Sequence, residues 1–240
     1  MKGLIYCIPI LLLIACNENN ERIAGVEDEN LSQTQIDSIL DEYNFVYADL
    51  TLIDSTNQVI FPISTQRYKG GAKFRSSGYE PGDYARYWNI LFYNSLTGKT
   101  NLLTESKIRI SDFKCNIPKS GSILKNRILF EIGDIDYNED KILNSKDPLH
   151  LFVSKIDGSE LTRLSPINEY LEYYKIIPNS NKIIFKTKRD EDRDFDFDKD
   201  DQFIWYQIDL SETNSLVEVL SNTERKLIEK LYFEQWLVKE

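Results

Sequence analysis

Hydrophobic and polar positions follow one shape that recurs three times along the chain. Each time, an Asn at a turn position opens a run rich in β-branched and aromatic residues, preceded by an extended stretch and a turn. These runs are NQVIFPI from Asn57, NRILFEI from Asn126 and NKIIFKT from Asn181. Such a composition is typical of buried strands, so each run predicts a β-strand with an extended partner before it.

A second pattern follows each of these runs and adds two more strands. It consists of a strand, a turn and a strand that ends in Leu and Ser or Thr. The three copies begin at Trp88, Leu149 and Phe203, with turns at Gly98, Gly158 and Glu212–Thr213. Four strands in this order, repeated three times, form the unit of a β-propeller blade, so we predict an all-β fold.

A helical pattern lies at each end of this region. Apolar residues recur every three or four positions in SQTQIDSILDEY, behind Ser32 or Thr34 as a cap, and again within residues 222–240. These positions are Ile36, Ile39, Leu40 and Tyr43 in the first segment, and Leu227, Ile228, Leu231, Trp236 and Leu237 in the second. We expect each short helix to pack its apolar face onto the sheets. The alternative is a helix that binds a partner.

Two phrases, KIDGSELTRLSP and IPNSNKIIFKT, resemble repeats of the TolB-type β-propeller. The resemblance covers roughly residues 45–221 and implies a β-propeller-like array of about three four-stranded TolB-type repeats in a domain at 33–221. Propellers usually have four to eight blades. Either the N-terminal residues therefore add a degenerate set of strands, or the array is open and its edges need cover from a helix or a partner.

The amino terminus has the features of an export signal. Lys2 precedes an apolar run that ends at Ala15, which is typical of a secretory signal peptide and too short to span a membrane. Leu13-Ile14-Ala15-Cys16 resembles the lipobox of bacterial lipoproteins. That resemblance implies cleavage after Ala15, so that 1–15 is the signal peptide, and a lipid on Cys16. The alternative is an ordinary signal peptide with an incidental cysteine.

Residues 16–32 are polar and acidic, and they contain too few apolar groups to form a core, so we expect a flexible tether. The predicted location is the cell envelope, with the protein anchored to the outer membrane by its lipid. The sequence leaves open whether it faces the periplasm or the cell surface.

Charge and cysteine content argue against some classes of function and against a fold stabilised by disulfides. The net charge is −10, and removal of Lys2 with the signal peptide takes it to −11, which argues against binding to nucleic acid. Besides Cys16, only Cys115 remains after cleavage, so no intrachain disulfide framework is possible. We expect Cys115 to be a small buried residue.

An acidic segment from Asp190 has the register of a calcium loop. Calcium loops of the EF-hand type supply oxygen ligands at positions one, three, five, seven, nine and twelve, with an apolar anchor at position eight. Phe197 occupies position eight. The ligand positions are occupied by Asp190, Asp192, Asp194, Asp196, Asp198 and Asp201.

A second segment, from Asp136, follows the same register and resembles the loop of dockerin modules. Leu143 stands at position eight, and Asp134 could extend the ligand set, which gives loop bounds of 134–147 beside 190–201. The ligand positions are occupied by Asp136, Asn138, Asp140, Ile142 through its carbonyl, Asn144 and Asp147. We therefore predict calcium as the cofactor. The alternative is a pair of solvated acidic loops.

Both segments differ from EF-hand loops at two positions. Position six, where Gly allows a positive φ, is Lys141 in one loop and Phe195 in the other. Position twelve is Asp, which is shorter than the usual Glu. We expect both changes to weaken binding or distort the turn, with affinities on the order of 10⁻⁴ to 10⁻³ M.

The residues of common catalytic sites are scarce. His150 is the only histidine and stands between apolar neighbours, so we interpret it as structural. We predict that the protein is not an enzyme but a membrane-anchored, calcium-binding lipoprotein, acting as a non-catalytic binding or scaffold module with a protein or glycan partner. The alternative is a carbohydrate-active or peptidase-associated protein that uses the Tyr-rich loop 66–88 as its substrate surface. The candidate surface residues are Tyr79, Tyr84 and Trp88.

Overall fold

The computed structural model describes residues 32, 34, 43–67, 86–212 and 216–237. The predicted signal peptide, Cys16 and nearly all of the predicted tether lie outside the described residues. So do three of the four apolar positions of the predicted N-terminal helix. The fourth, Tyr43, was wrongly assigned to a helix: it begins a β-strand, because its backbone pairs with Arg67 of another strand.

The first sheet has five antiparallel strands. The long strand β3 pairs with β1, β2 and β4, and β4 pairs with β5. The strands are β1 (Tyr43–Tyr47), β2 (Thr51–Leu52), β3 (Gln58–Arg67), β4 (Asn89–Asn94) and β5 (Thr100–Leu102). The run that begins at Asn57 is therefore the central strand of its repeat, as the sequence predicts.

The second and third sheets are four-stranded antiparallel meanders. A short 3₁₀ helix at Leu124–Asn126 leads into the second strand of the second sheet. That sheet contains β6 (Arg109–Lys114), β7 (Arg127–Gly133), β8 (His150–Lys155) and β9 (Thr162–Arg163). The third sheet contains β10 (Glu169–Ile176), β11 (Lys182–Arg189), β12 (Gln202–Asp209) and β13 (Val217–Glu218). The threefold repeat of strands is thus confirmed.

The second sheet lies between the other two and is buried on both faces. Along β7, Ile128 and Phe130 pack into a cluster with side chains of the first sheet, whereas Leu129 packs into a cluster with side chains of the third. Successive side chains of a strand point to opposite faces, so a strand covered on both sides reads as a continuous apolar run. This is why the NRILFEI segment lacks alternation. Among the described residues, no buried cluster joins the third sheet to the first, so the sheets do not close into a ring.

One helix, α1 (Asn222–Gln235), follows the third sheet. Ser221 and Glu224 form a capping box: the Ser221 hydroxyl accepts the Glu224 N–H at 3.3 Å, and the Glu224 carboxylate accepts the Ser221 N–H at 2.7 Å. Arg225 ties the helix to the sheet by donating to the carbonyls of Leu220 and Phe203 at 3.2 and 3.1 Å.

The position of α1 corrects one expectation. The helix has no buried residue, and its predicted core-facing side chains, Leu227, Ile228, Leu231, Trp236 and Leu237, are between 40% and 75% exposed. Arg225 attaches the first turn to β12 and β13, while the apolar side chains farther along the helix remain exposed. The helix was predicted correctly, but its packing was not.

Candidate metal centre

The two acidic loops occupy the same place in two successive sheets. One joins β7 to β8 and the other joins β11 to β12, so each connects the two central strands of its meander. In the first sheet, the matching connection joins β3 to β4 and contains the Tyr-rich segment. Residues 68–85 of that segment, with the candidates Tyr79 and Tyr84, lie outside the described residues. Trp88 is described and is 36% exposed beside β4.

The first residue of each loop organises the turn with its carboxylate. Asp136 accepts the N–H groups of Asp140 at 3.2 Å and Lys141 at 2.6 Å. Asp190 accepts those of Arg193 at 2.6 Å and Phe195 at 3.2 Å. In both loops the carboxylate at position one therefore binds the N–H at position six and curls the chain around itself.

The last residue of each loop closes it. Asp147 accepts the N–H groups of Tyr137 at 2.8 Å and Asn144 at 2.7 Å. Asp201 accepts the N–H groups at the same two positions of its own loop, two and nine, at 3.0 and 2.9 Å. Asp147 is fully buried and Asp201 is 8% exposed, so both carboxylates sit at the base of their loops. The shorter Asp at position twelve fits this role.

The side chains at positions three, five and nine repeat a third motif. In each case the side-chain oxygen accepts the N–H two residues later, at distances from 2.7 to 3.3 Å. The acceptors are Asn138, Asp140 and Asn144 in the first loop, and Asp192, Asp194 and Asp198 in the second. Ile142 at position seven accepts the amide of Asn144 through its carbonyl at 3.3 Å, and Asp196 accepts the N–H of Phe197 at 2.9 Å.

Position six keeps the backbone of an EF-hand loop without its glycine. Lys141 has φ 69° and Phe195 has φ 67°. Position four does the same, since Glu139 has φ 56° and Arg193 has φ 62°. A left-handed conformation costs a non-glycine residue about 1–2 kcal/mol. The expected distortion of the turn is therefore absent, and the loops instead carry backbone strain at two positions each.

Three carboxylates of the second loop converge. Asp190, Asp192 and Asp194 each place one oxygen within 4.8 Å of those of the other two, close enough for one cation to contact all three. The Asp194 N–H stabilises the Asp192 carboxylate, yet desolvation and repulsion from Asp194, Asp190 and Asp201 together outweigh it, and the pKa of Asp192 is raised. In the first loop, burial raises the pKa of Asp147 despite the N–H groups it accepts.

Tyr137 connects the two loops, and the sequence gives no sign of this contact. Its N–H donates to Asp147 of its own loop, and its hydroxyl donates to Asp190 of the other at 3.1 Å. Its ring lies 5.7 Å from that of Phe195 and 5.2 Å from that of Phe197. Burial, reinforced by the hydrogen bond to Asp190, raises the pKa of Tyr137 to about 12, so the hydroxyl remains a donor at neutral pH.

The predicted anchors at position eight differ in their contacts. The ring of Phe197 packs against Tyr170 of β10 at 5.7 Å, as well as against Tyr137, and its carbonyl accepts the ammonium of Lys188 at 3.0 Å. Phe197 thus fastens the second loop to its sheet. Leu143 is half-buried. The first loop is instead fastened at its last residue by Arg109 of β6, which is 8% exposed and donates to the Asp147 carbonyl at 3.1 Å.

Asp134, which the sequence offers as a further ligand of the first loop, is bound to a different cluster of side chains. Its carboxylate binds the Nδ1 of His150 at 2.7 Å and the guanidinium of Arg163. The other ring nitrogen of His150 lies 2.9 Å from the Ile167 carbonyl, and the side chain is fully buried. His150 thus connects β8 to Asp134, which follows β7, and to Ile167, which precedes β10.

The Asp134 cluster predicts a pH-dependent stability. Burial acts to raise the pKa of Asp134, but hydrogen bonds from His150 and Arg163 outweigh it and hold the pKa below its ordinary value. A lowered pKa stabilises the fold above the unfolded value of about 4, and this contribution is lost as the pH falls through the folded value. Asp134→Asn should therefore cost about 2–3 kcal/mol at pH 7, and the deficit should shrink below about pH 4.

Urea unfolding of both proteins across that pH range measures the deficit. The exposed Glu105→Gln is the control and should leave stability within about 0.5 kcal/mol of wild type at each pH. A deficit for Asp134→Asn that stays constant down to pH 3 would contradict the assigned ion pair.

Cys115 is half-buried and packs against the cluster between the first two sheets. Burial raises the pKa of its thiol. The residue is therefore an apolar packing element at the edge of the core, somewhat more exposed than the sequence predicts.

Comparison with known proteins adds little to what the structure shows. No protein-family model matches the chain, and no curated protein matches it in sequence. Among solved structures, the chain is similar to a protein described as TolB from Agrobacterium tumefaciens, at 13% identity and a TM-score of 0.32. The match covers 72% of this chain and 64% of that one, so the chain spans less than two thirds of its length. The mainly β fold described above rests on the three sheets themselves.

No helix in the described ranges is long and apolar enough to cross a membrane.

Proposed function

We propose that this chain is a lipid-anchored protein of the cell envelope whose β domain binds calcium at two loops and serves as a non-catalytic binding or scaffold module. The observation that carries the calcium sites is the duplicated loop. Two segments with different residues at positions four, six and eight share the same turn, positive φ angles at the same positions and the same hydrogen bonds from backbone N–H groups to their first and last Asp.

The donor set fits calcium. All side-chain ligands on offer are carboxylate or amide oxygens, which suit hard cations, and neither loop contributes sulfur or imidazole. The second loop has six carboxylates at the ligand positions. The first has three carboxylates and two amides, with the Ile142 carbonyl as a sixth oxygen. The second loop should therefore bind the ion more tightly.

Calcium would act here as a structural staple. The pKa values of Asp147 and Asp192 are raised, so the fold disfavours the ionised form of both carboxylates. A cation would offset the repulsion between the carboxylates of each loop. It would also compensate the strain at positions four and six. Because Tyr137 touches both loops, one ordered loop would help to position the other.

The lipid anchor and the non-catalytic role complete the proposal. The anchor rests on the sequence around Cys16, and Cys16→Ser should move the protein from the membrane fraction to the soluble fraction of cells. A non-catalytic role is supported by His150, the only histidine, whose two ring nitrogens are engaged in the interior.

Amide hydrogen exchange tests the calcium sites residue by residue. Calcium should slow exchange at the loop amides that donate to the first and last Asp, such as those of Lys141, Asn144, Phe195 and Asp198. The amides of β6 should change little. Magnesium at the same concentration is the control, since it favours a stricter octahedral shell and retains several waters. Equal exchange rates at these amides in calcium and in chelator would contradict the proposed calcium sites.

A further inference from the structure

A cavity of about 490 Å³ opens beside the second loop. One wall is formed by Tyr137 of the first loop and by residues 166–169, which end at the first residue of β10. The other is formed by the end of β11 and the start of the second loop, through Arg189, Asp190, Arg193 and Phe195. This volume falls in the range of small-molecule sites, about 300–1,000 Å³. The cavity is separate from the proposed calcium site among the oxygens of the second loop, although Asp190 borders both.

Two guanidinium groups border this cavity in a chain of net charge −10. Arg189 uses Nε and Nη2 to bind Glu169 and Tyr206, which leaves Nη1 without a partner among the described residues. Arg193 is exposed, and its guanidinium has no hydrogen bond or ion pair with any residue the structure describes. Guanidinium groups pair with carboxylates through two parallel hydrogen bonds, so the cavity offers a place for a carboxylate.

One wall is aromatic. The rings of Tyr137 and Phe195 meet edge to face at 5.7 Å, and Phe195 is 48% exposed although it lies at a strained backbone position. An exposed phenylalanine with φ 67° does not stabilise its own turn as glycine would. Its ring is placed to pack against a flat apolar surface.

The remaining polar groups narrow the class of ligand. Glu169, Asp190 and the exposed Asn168 also border the cavity. A simple apolar acid would face these carboxylates without offering them a hydrogen-bond donor. An acidic sugar offers hydroxyl donors, a carboxylate for the arginines and a C–H face for the aromatic wall.

We propose that this cavity binds a uronic acid, with its carboxylate on Arg193 and Arg189 and its ring against Phe195 and Tyr137. Binding of the acid does not require calcium. The expected effect of calcium on its affinity rests on the proposed function, because it needs an ion at the second loop. Two arginines and two carboxylates balance in charge at the cavity. Calcium on Asp190 would neutralise part of the negative charge that the second loop places beside the cavity, so it tightens binding of the acid.

The test compares two sugars that differ only at C6, 4-nitrophenyl β-D-glucuronide and 4-nitrophenyl β-D-glucoside. Both are titrated by calorimetry into the folded protein, in calcium and in chelator. The glucuronide should bind about tenfold more tightly, as expected for a charge-assisted hydrogen bond. Arg193→Met should reduce its affinity to that of the glucoside. Lys199→Met, in the same loop but away from the cavity, should bind as wild type does.

The outcomes separate the two proposals. Equal binding of the two sugars, or a preference for the glucuronide that survives Arg193→Met, overturns the uronic acid site whatever calcium does. A glucuronide preference that is lost in Arg193→Met but is the same in calcium and chelator supports this site, and counts against calcium at Asp190.

Discussion

Calcium at about 10 mM should raise the melting temperature of the domain by about 6–20 °C relative to chelator. Dissociation constants of about 10⁻⁴ to 10⁻³ M give about 1.4–2.7 kcal/mol for each occupied loop. For a domain of this size, each kcal/mol shifts the melting temperature by about 2–4 °C. Because calcium would bind the folded loops and not the unfolded chain, the whole of this energy appears as stability.

Single substitutions measure how much each loop contributes to this rise in melting temperature. Asp136→Asn and Asp190→Asn should each remove part of the shift, and Asp190→Asn the larger part because its loop has more carboxylates. Asp200→Asn is the matched control: it lies in the second loop at a position that supplies no ligand, and the shift should remain. Melting curves that coincide in calcium and chelator would contradict the calcium sites.

Glu169→Ala should lower the free energy of unfolding by about 2–4 kcal/mol, because it removes a buried carboxylate that accepts three hydrogen-bond donors, although its ion-pair partner Arg189 is 41% exposed. Glu169 is 3% exposed. One carboxylate oxygen accepts Arg189 Nε at 2.9 Å and the Tyr206 hydroxyl at 3.0 Å, and the other accepts the buried Thr187 hydroxyl at 2.6 Å. The truncation leaves all three donors without this acceptor.

Two variants calibrate that loss in urea unfolding. Glu169→Gln keeps an acceptor and loses the charge, so it should cost less, about 1–3 kcal/mol. Glu172→Ala lies on the same strand but is exposed, where its ion pair with Lys188 at 3.5 Å should contribute no more than about 1 kcal/mol. A cost for Glu169→Ala no greater than that of Glu172→Ala would contradict the role of this network.

The strands and the positions of the loops could be predicted from the sequence because both depend on local patterns. The runs after Asn57, Asn126 and Asn181 are the central strands β3, β7 and β11. The alternate spacing of carboxylates is also a local signal, since each side chain accepts an N–H two residues along the same loop.

Features that depend on distant contacts could not be predicted in this way. Tyr137 and Asp190 are 53 residues apart, and the local sequence around neither residue indicates that they are in contact. Asp134 fits the loop by spacing, yet it binds His150 and Arg163 because the strand pairing brings them together. The periodicity of α1 predicts a helix with an apolar face, but not what that face contacts.

Calorimetric titration of calcium into the mature domain tests the central claim most directly, because it counts the ions. The expected result is two bound ions for the wild type, one for Asp136→Ala, one for Asp190→Ala and none for the double variant. Circular dichroism of each variant confirms that it is folded before titration. The absence of binding heat in the wild type, or two ions in every folded variant, would contradict the assignment of these loops as calcium sites.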